Sequence, residues 1–589
     1  MWSYLPPLQD MQFVMVELLD VGRDWALIPR FAELDVGTVP QILQEAGKFA
    51  GQTLATINAN GDLQGCRFQD GAVVTPDGFL EAYGRFREGG WPALACDAEF
   101  GGQGLPQILN AALYEMLNAA NHGWTMYPGL AHGAYECLRA HASEQLKSVY
   151  LPKIVSGEWL TTMCLTEPQA GSDVGLIRTR AEPKPDGSYA VSGSKIFISG
   201  GEHDLTDNIV HLVLARLPDA PGGTRGISLF LVPKYIGSPA SPERNRLRCE
   251  GIEKKMGIKG SATCVMNFDA AQGFMVGEPN RGLAAMFVMM NAARLNVGMQ
   301  GLGHTEMAYQ NAFRYAGERV QMRAVARPDN SEPATSGADP ILLQPAMRKT
   351  LMTLRAFAQG ERALAYWAAH LLDVAEFHPA SEQRTRAHEL VSLLTPIIKS
   401  FFTENGFALS SAALQVWGGY GYIHDYGIEQ SVRDSRIAMI YEGTNEIQAI
   451  DLLVRKVIGD RGRNFGVLLQ WVLDEANLCT FVSGCERFGE TLRAVQDKLA
   501  RITAAIIAES VREPEVGHRV ANDFLRLVGL LLVGAWWARA ARMAMPRASQ
   551  DFYSSKLETA RFYFDYVMPE SNLRLTLLEQ RHCAIPWFI

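Results

Sequence analysis

Residues 189–200, YAVSGSKIFISG, mix β-branched and aromatic residues with small polar ones at a period near two, which reads as a β-strand rather than a helix. Further runs of the same texture follow: NIVHLVLARL (208–217), GISLFLVP (226–233) and CVMNFDA (264–270), separated by Gly, Pro, Asp and Asn. They delimit a β domain over residues 161–278. On either side the period becomes helical. LPQILNAALYEMLNAAN (105–121) carries a helical apolar stripe within a mostly helical first domain, 1–160, interrupted by the Gly-rich GGWPALACDAEFGGQGLP (89–106). Helix resumes after GEPNRG, in a long segment from about Gly282 to Val320, and continues past the surface loop VARPDNSEPATSGADP (325–340) to close a domain at 279–460. Residues 461–589, with ETLRAVQDKLARITAAIIAES (490–510), form an appended helical unit. The expected class is therefore mainly α with a central β domain.

Composition narrows the function. The 589 residues, 48% of them hydrophobic, suffice for several cores. A net charge of −8, from 55 basic and 63 acidic residues spread along the chain, offers no stripe for a phosphate backbone, so nucleic acid is not an expected partner. Nine cysteines without C-x-x-C or zinc-spaced Cys/His clusters read as reduced thiols in a cytoplasmic protein with no metal site. The start MWSYLPPLQDMQ lacks the basic and apolar regions of a secretory signal. LVGLLLVGAWWA (527–538) falls short of the roughly 20 residues that span a bilayer. It reads as a buried helix, and membrane association as at most peripheral.

Ser192-Gly-Ser-Lys195 matches the S-x-x-K of serine acyl enzymes, but it lies inside a strand and no S-D-N or K-T-G follows. No G-x-S-x-G, H-E-x-x-H, Walker A or G-x-G-x-x-G occurs. Three other blocks carry the information: CLTEPQAGSD (164–173), QVWGGYGYIHDY (415–426) and IYEGTNEIQ (440–448). Together they resemble the acyl-CoA dehydrogenase flavoproteins. KIFISGG (195–201), KKMGIKGSATCVMNFD (254–269) and the Arg294 region extend the resemblance, in order, over about residues 10–455.

The resemblance implies FAD lying between the β domain and the following helical domain, and an acyl-CoA substrate that loses hydrogens from its α and β carbons. Glu442 would be the base, since an α proton beside a thioester needs a carboxylate aimed at that carbon. Its own backbone N–H would help polarise the thioester carbonyl. On the β domain, Met163, Leu165 and Thr166 would address the flavin ring and Ser172 the pyrophosphate, with Ser172 also bordering substrate. Phe197 and Ser199 stand where the family commonly has Trp and Thr, keeping an apolar face and a hydroxyl beside the flavin. Arg319, Gln415 and Gly419 would reach the FAD of a neighbouring subunit, implying a homodimer or dimer of dimers. Val320-Gln-Met follows Arg319 where the family often has Thr-Phe-Gly. Thr444 and Glu446 would lie beside the adenosine; Arg294, Tyr441 and Gly443 would border the substrate.

The length and the carboxy-terminal unit resemble the long bacterial subgroup, which holds fatty acyl-CoA and 3-methylmercaptopropionyl-CoA dehydrogenases. A straight-chain fatty acyl-CoA of β-oxidation is the expected substrate, with the methylmercaptopropionyl thioester as the alternative and electron-transfer flavoprotein as the acceptor. An acyl-CoA oxidase and a catalytically inactive scaffold are the remaining readings.

Overall fold

The computed structural model describes residues 2–238, 241–328 and 337–588, so the middle of the 325–340 loop lies outside the described residues. Contacts divide the chain into two compact units, neither continuous in sequence. One holds Lys48–Asn110 and Ala120–Asn296; the other holds Met1–Gly47, Ala111–Ala119 and Val297–Ile589.

The first unit contains the sheet. Its strands are β1 (Trp159–Cys164), β2 (Arg180–Pro183), β3 (Tyr189–Ser199), β4 (Asn208–Arg216), β5 (Ile227–Pro233), β6 (Leu247–Ile252) and β7 (Thr263–Val276). They run in the order β6-β7-β3-β2-β4-β1, with β5 paired to both β7 and β4. The sheet is mixed, because β1 lies parallel to β4 while β3 lies antiparallel to β7. Alternation along β4 explains its burial on both faces. Val210, Leu212 and Leu214 join one apolar cluster, Val213 and Ala215 another. The mostly helical reading of 1–160 misses one feature, a hairpin pairing Arg67–Gln69 with Ala72–Val74. Its tip, Asp70-Gly71, takes positive φ at both positions (51° and 85°), the geometry that the Asp-Gly signal specifies.

The second unit is helical. Its main elements are the later part of α1 (Gly282–Glu318), then α2 (Pro345–Phe377), α3 (Ser381–Trp417), α4 (Asn445–Ile450), α5 (Arg463–Cys479), α6 (Glu486–Ser510), α7 (Glu515–Ala544), α8 (Asp551–Phe562) and α9 (Glu570–Glu579). The glycines of NVGMQGLG let α1 and α3 meet backbone to backbone. A Cβ on Gly301 would stand 2.3 Å from the Phe402 carbonyl oxygen, so the crossing excludes any larger residue.

Helix α7 is long and apolar enough to cross a membrane, yet 89% of its most apolar window is buried within the protein. A Cβ on Gly529 would meet the Phe401 ring of α3 at 2.4 Å, and the Trp537 indole donates to the Ala356 carbonyl of α2 at 3.0 Å. The carboxy-terminal helices thus cover α2 and α3 rather than standing apart. Arg362 ties in the amino-terminal segment. Fully buried, it donates to Glu115 (2.6 Å) and Glu306 (2.8 Å) and contacts Asp10, which offsets the cost of burying these charges.

Candidate active site

On the sheet unit, β1 ends at Cys164 and the chain enters the loop that the CLTEPQAGSD motif predicts. Glu167 organises that loop. Its Oε1 accepts from Lys195 Nζ (2.8 Å), Thr179 N (3.1 Å) and Thr179 Oγ1 (2.6 Å). Its Oε2 accepts from Arg178 N (2.7 Å) and Gln169 Nε2 (2.6 Å). Burial alone would push this carboxyl up; Lys195 and the surrounding donors outweigh it and hold the pKa at about 2. Two more bonds fasten the loop to β3: Lys195 Nζ to the Leu165 carbonyl and Ile196 N to the Thr166 carbonyl, both at 3.0 Å.

The pairing of β3 with β7 shifts register between Lys195 and Ile198, and Phe197 sits in this bulge at φ 58° with its side chain exposed. A left-handed aromatic residue is strained, and the strain turns the ring out of the sheet. Ser199 pairs with Thr263 two residues on. Met163 and Leu165 are half-buried against the β4 cluster, while Ser172 is exposed beyond the tight Glu167–Ala170 turn. The structure thus gathers Leu165, Thr166, Phe197 and Ser199 about the β1–β3 contact. Arg294, 6% exposed, lies on the part of α1 that belongs to this unit, its guanidinium 6.0 Å from the centre of the Phe287 ring.

On the helical unit, the end of α3 frames a recess of about 410 Å³ lined by Arg319, Gln321, Gln415, Gly418, Gly419 and Tyr420, among others. The Arg319 guanidinium lies 5.3 Å over the Tyr420 ring. Among the described residues nothing comes within 4 Å of a Cβ built on Gly418 or Gly419, so the floor is open to a flat or phosphorylated group. Met322, where the family often has glycine, keeps a left-handed backbone at φ 61°. A methionine in this conformation carries strain that a glycine would not.

The third cluster is the turn Tyr441–Asn445. Glu442 is left-handed at φ 56° and Gly443 follows at φ 87°. Two successive positive φ values reverse the chain sharply, and only the second falls on a residue that favours them. The turn is held from three sides. Thr444 caps α4 by accepting from Ile447 N at 3.4 Å. Asn445 accepts from buried Lys399 (3.1 Å) and Thr403 (3.2 Å) and donates to the Ser400 carbonyl (3.2 Å), all on α3. Gln448 donates to the carbonyls of Glu442 (3.1 Å) and Gly443 (3.3 Å). Tyr441 donates to Gln300 on α1 at 2.5 Å, and burial, then the neighbouring Glu442 charge, raise its hydroxyl above the ordinary tyrosine range. Glu446 is exposed on the first turn of α4.

Sequence reading gave no role to Glu167, Gln300, Lys399, Asn445 and Gln448, and placed Lys195 in a hydrolase pattern and in the KIFISGG block without a role of its own. Its pairing with Glu167 removes that pattern's chemistry, because the ammonium is occupied and Ser192 Oγ accepts from Ala270 N at 3.0 Å. One signal was available for both lysines. Lys195 shares the period-two phase of buried Val191, and Lys399 stands among Ile397, Ile398, Phe401 and Phe402, so each demands a buried partner.

Comparison with known proteins agrees with this layout. Four family models match in order: acyl-CoA dehydrogenase N-terminal domain (41–158), middle domain (162–271) and C-terminal domain (280–457), then acetyl-CoA dehydrogenase C-terminal like (472–585). A 3-methylmercaptopropionyl-CoA dehydrogenase of Ruegeria pomeroyi is 39% identical over 578 residues, 97% of each chain. A broad-specificity linear acyl-CoA dehydrogenase of Mycobacterium tuberculosis is 33% identical, over 97% of this chain and 96% of its own. Among solved structures, Caenorhabditis elegans ACDH-11 in complex with C11-CoA shares the fold at TM-score 0.76 and 19% identity, covering 95% of this chain and 91% of its own. The open glycine floor beside Arg319 fits a diphosphate and the out-turned Phe197 fits a flavin ring, so the residues present suit the family's cofactor. The chain belongs to the acyl-CoA dehydrogenase family, whose members are FAD-dependent oxidoreductases.

Proposed function

We propose that Glu442 removes the α proton of an acyl-CoA thioester while the β hydrogen leaves as hydride to bound FAD, giving the trans-2-enoyl-CoA. The left-handed turn at Glu442 carries this reading. A strained backbone position, clamped by Gln448 at the Glu442 carbonyl and followed by Asn445 tied to α3, is what a fixed general base requires. The Glu442 N–H would serve as a donor to the thioester carbonyl, favouring the enolate that develops as the proton leaves. Leu165, Thr166, Phe197 and Ser199 would hold the flavin ring. Arg319, Gln415 and Gly419 would hold the diphosphate and adenosine of a second subunit's FAD, in a homodimer or a dimer of dimers, and electron-transfer flavoprotein would reoxidise the enzyme.

The relatives divide over the substrate: one acts on 3-methylmercaptopropionyl-CoA, another on linear acyl-CoAs. The sulfur-bearing thioester gains weight over the straight-chain fatty acyl-CoA expected from sequence, because its relative is the more similar of the two. The test is anaerobic flavin bleaching with 3-methylmercaptopropionyl-CoA and a chain-length series, each repeated with oxygen alone. Bleaching by none of them would refute dehydrogenation. Full turnover on oxygen alone would favour an oxidase.

A further inference from the structure

Lys195 has no exposed side-chain surface, and Glu167, its counterion, has 4%. A dry ammonium in the middle of a sheet is costly, and a methionine would fill the same volume without that cost. What the charge does there is touch one particular peptide. Lys195 Nζ donates to the Leu165 carbonyl at 3.0 Å, and the N–H of that same peptide unit belongs to Thr166. In a planar trans peptide, C=O and N–H point in opposite directions, so a cation fixed on the oxygen also fixes where the Thr166 N–H points. In a low-dielectric interior the cation also polarises the amide, making that N–H a stronger donor. Glu167 holds the ammonium in place and is itself locked by the backbone at Arg178 and Thr179.

We propose that Lys195 is a positioning residue for the flavin, aiming and strengthening the Thr166 N–H as a donor to the ring. The proposal rests on the reading that this peptide faces the flavin. Reduced flavin carries more negative charge than oxidised flavin, so a strengthened donor favours reduction. Lys195 therefore affects both FAD affinity and the reduction potential, whereas a residue that only supports the loop would affect affinity alone.

The experiment compares full-length Lys195→Met, Lys195→Gln and Thr166→Ala with the parent chain. Apoprotein is titrated with FAD, and the potential and absorption spectrum of the bound flavin are recorded. Lys195→Met is expected to weaken FAD binding about tenfold or more, the scale of a charge-assisted hydrogen bond, and to move the potential to more negative values. Lys195→Gln keeps a donor without the charge, so it should recover part of the affinity but not the potential; it also serves if the methionine variant fails to fold. Weakened binding with an unchanged potential in both lysine variants overturns the proposal. Lysine variants that match the parent in affinity, potential and spectrum also overturn it. In that case a spectral change in Thr166→Ala, which removes the hydroxyl and keeps the backbone N–H, leaves the loop's placement at the flavin standing.

Discussion

The side-chain amide of Gln448 donates to the backbone carbonyl of Glu442 at 3.1 Å, reaching back from the helix that follows the turn. Gln448 is completely buried, and its second bond, to the Gly443 carbonyl at 3.3 Å, makes it a clamp across both left-handed residues. Such a clamp opposes the tendency of Glu442 to relax toward negative φ.

Gln448→Met keeps the length of the side chain and removes both bonds. The expected outcome is a folded protein whose kcat falls by about a hundredfold, the scale of a misplacement near 1 Å, with KM little changed. Steady-state kinetics beside a thermal melt would check it. A fall in stability with kcat intact would show that the clamp does not position Glu442.

Glu361, on α2, supplies a pH dependence. Fully buried, it accepts from Asn405 Nδ2 at 2.7 Å through Oε1, while Oε2 has no hydrogen-bond partner among the described residues. Burial raises its pKa well above the ordinary carboxylate range, against smaller lowering by Asn405 and Arg526. The folded chain therefore keeps a proton that the unfolded chain releases above about pH 4.3. Stability from this group is complete below that value and is lost as pH rises through the folded pKa. Glu361→Gln keeps an acceptor for Asn405 and does not titrate. It should flatten the fall of melting temperature on the alkaline side, and melts at roughly pH 6 and pH 9 would reveal a parent-like slope if the reading is wrong.

Trp537 marks the seam between the carboxy-terminal helices and the helical domain, 2% exposed and bonded to the Ala356 carbonyl. Trp537→Ala should cost about 3–5 kcal/mol. Truncation at about residue 465 would expose the α2 and α3 faces that Val533, Trp537 and Gly529 cover, so aggregation or loss of FAD is expected. A soluble truncated protein with full activity would show that these helices do not support the rest.

How far the chain could be read from sequence depended on distance along it. The Glu442 turn is legible because its residues, from Tyr441 to Gln448, lie within one continuous motif, YEGTNEIQ. Strands β3, β4, β5 and β7 are legible from their β-branched and aromatic runs, and α7 from its apolar run. The Lys195–Glu167 pair is not, because its members lie 28 residues apart and only strand pairing brings them together. Lys399 and Asn445, 46 apart, fail for the same reason. Arg362 draws its partners from the amino-terminal segment, the Gln107–Thr125 helix and α1, contacts that no local pattern announces. The Asp70-Gly71 hairpin was a local signal overlooked among helices.

Glu442→Gln preserves the shape of the side chain and removes the base. Neither the left-handed backbone nor the Gln448 clamp depends on the carboxylate, since Gln448 binds main-chain oxygens. The variant should therefore fold, bind FAD and bind acyl-CoA. In the proposed reaction the α proton and the hydride leave together, so loss of proton abstraction also stops flavin reduction. Removal of a general base lowers rate by about a hundred- to ten-thousandfold, more than a changed affinity produces at saturating substrate. Anaerobic stopped-flow under saturating acyl-CoA reads this directly. Bleaching within a few-fold of the parent rate would mean that the base is another carboxylate, and that the strain at Glu442 serves the shape of the turn alone.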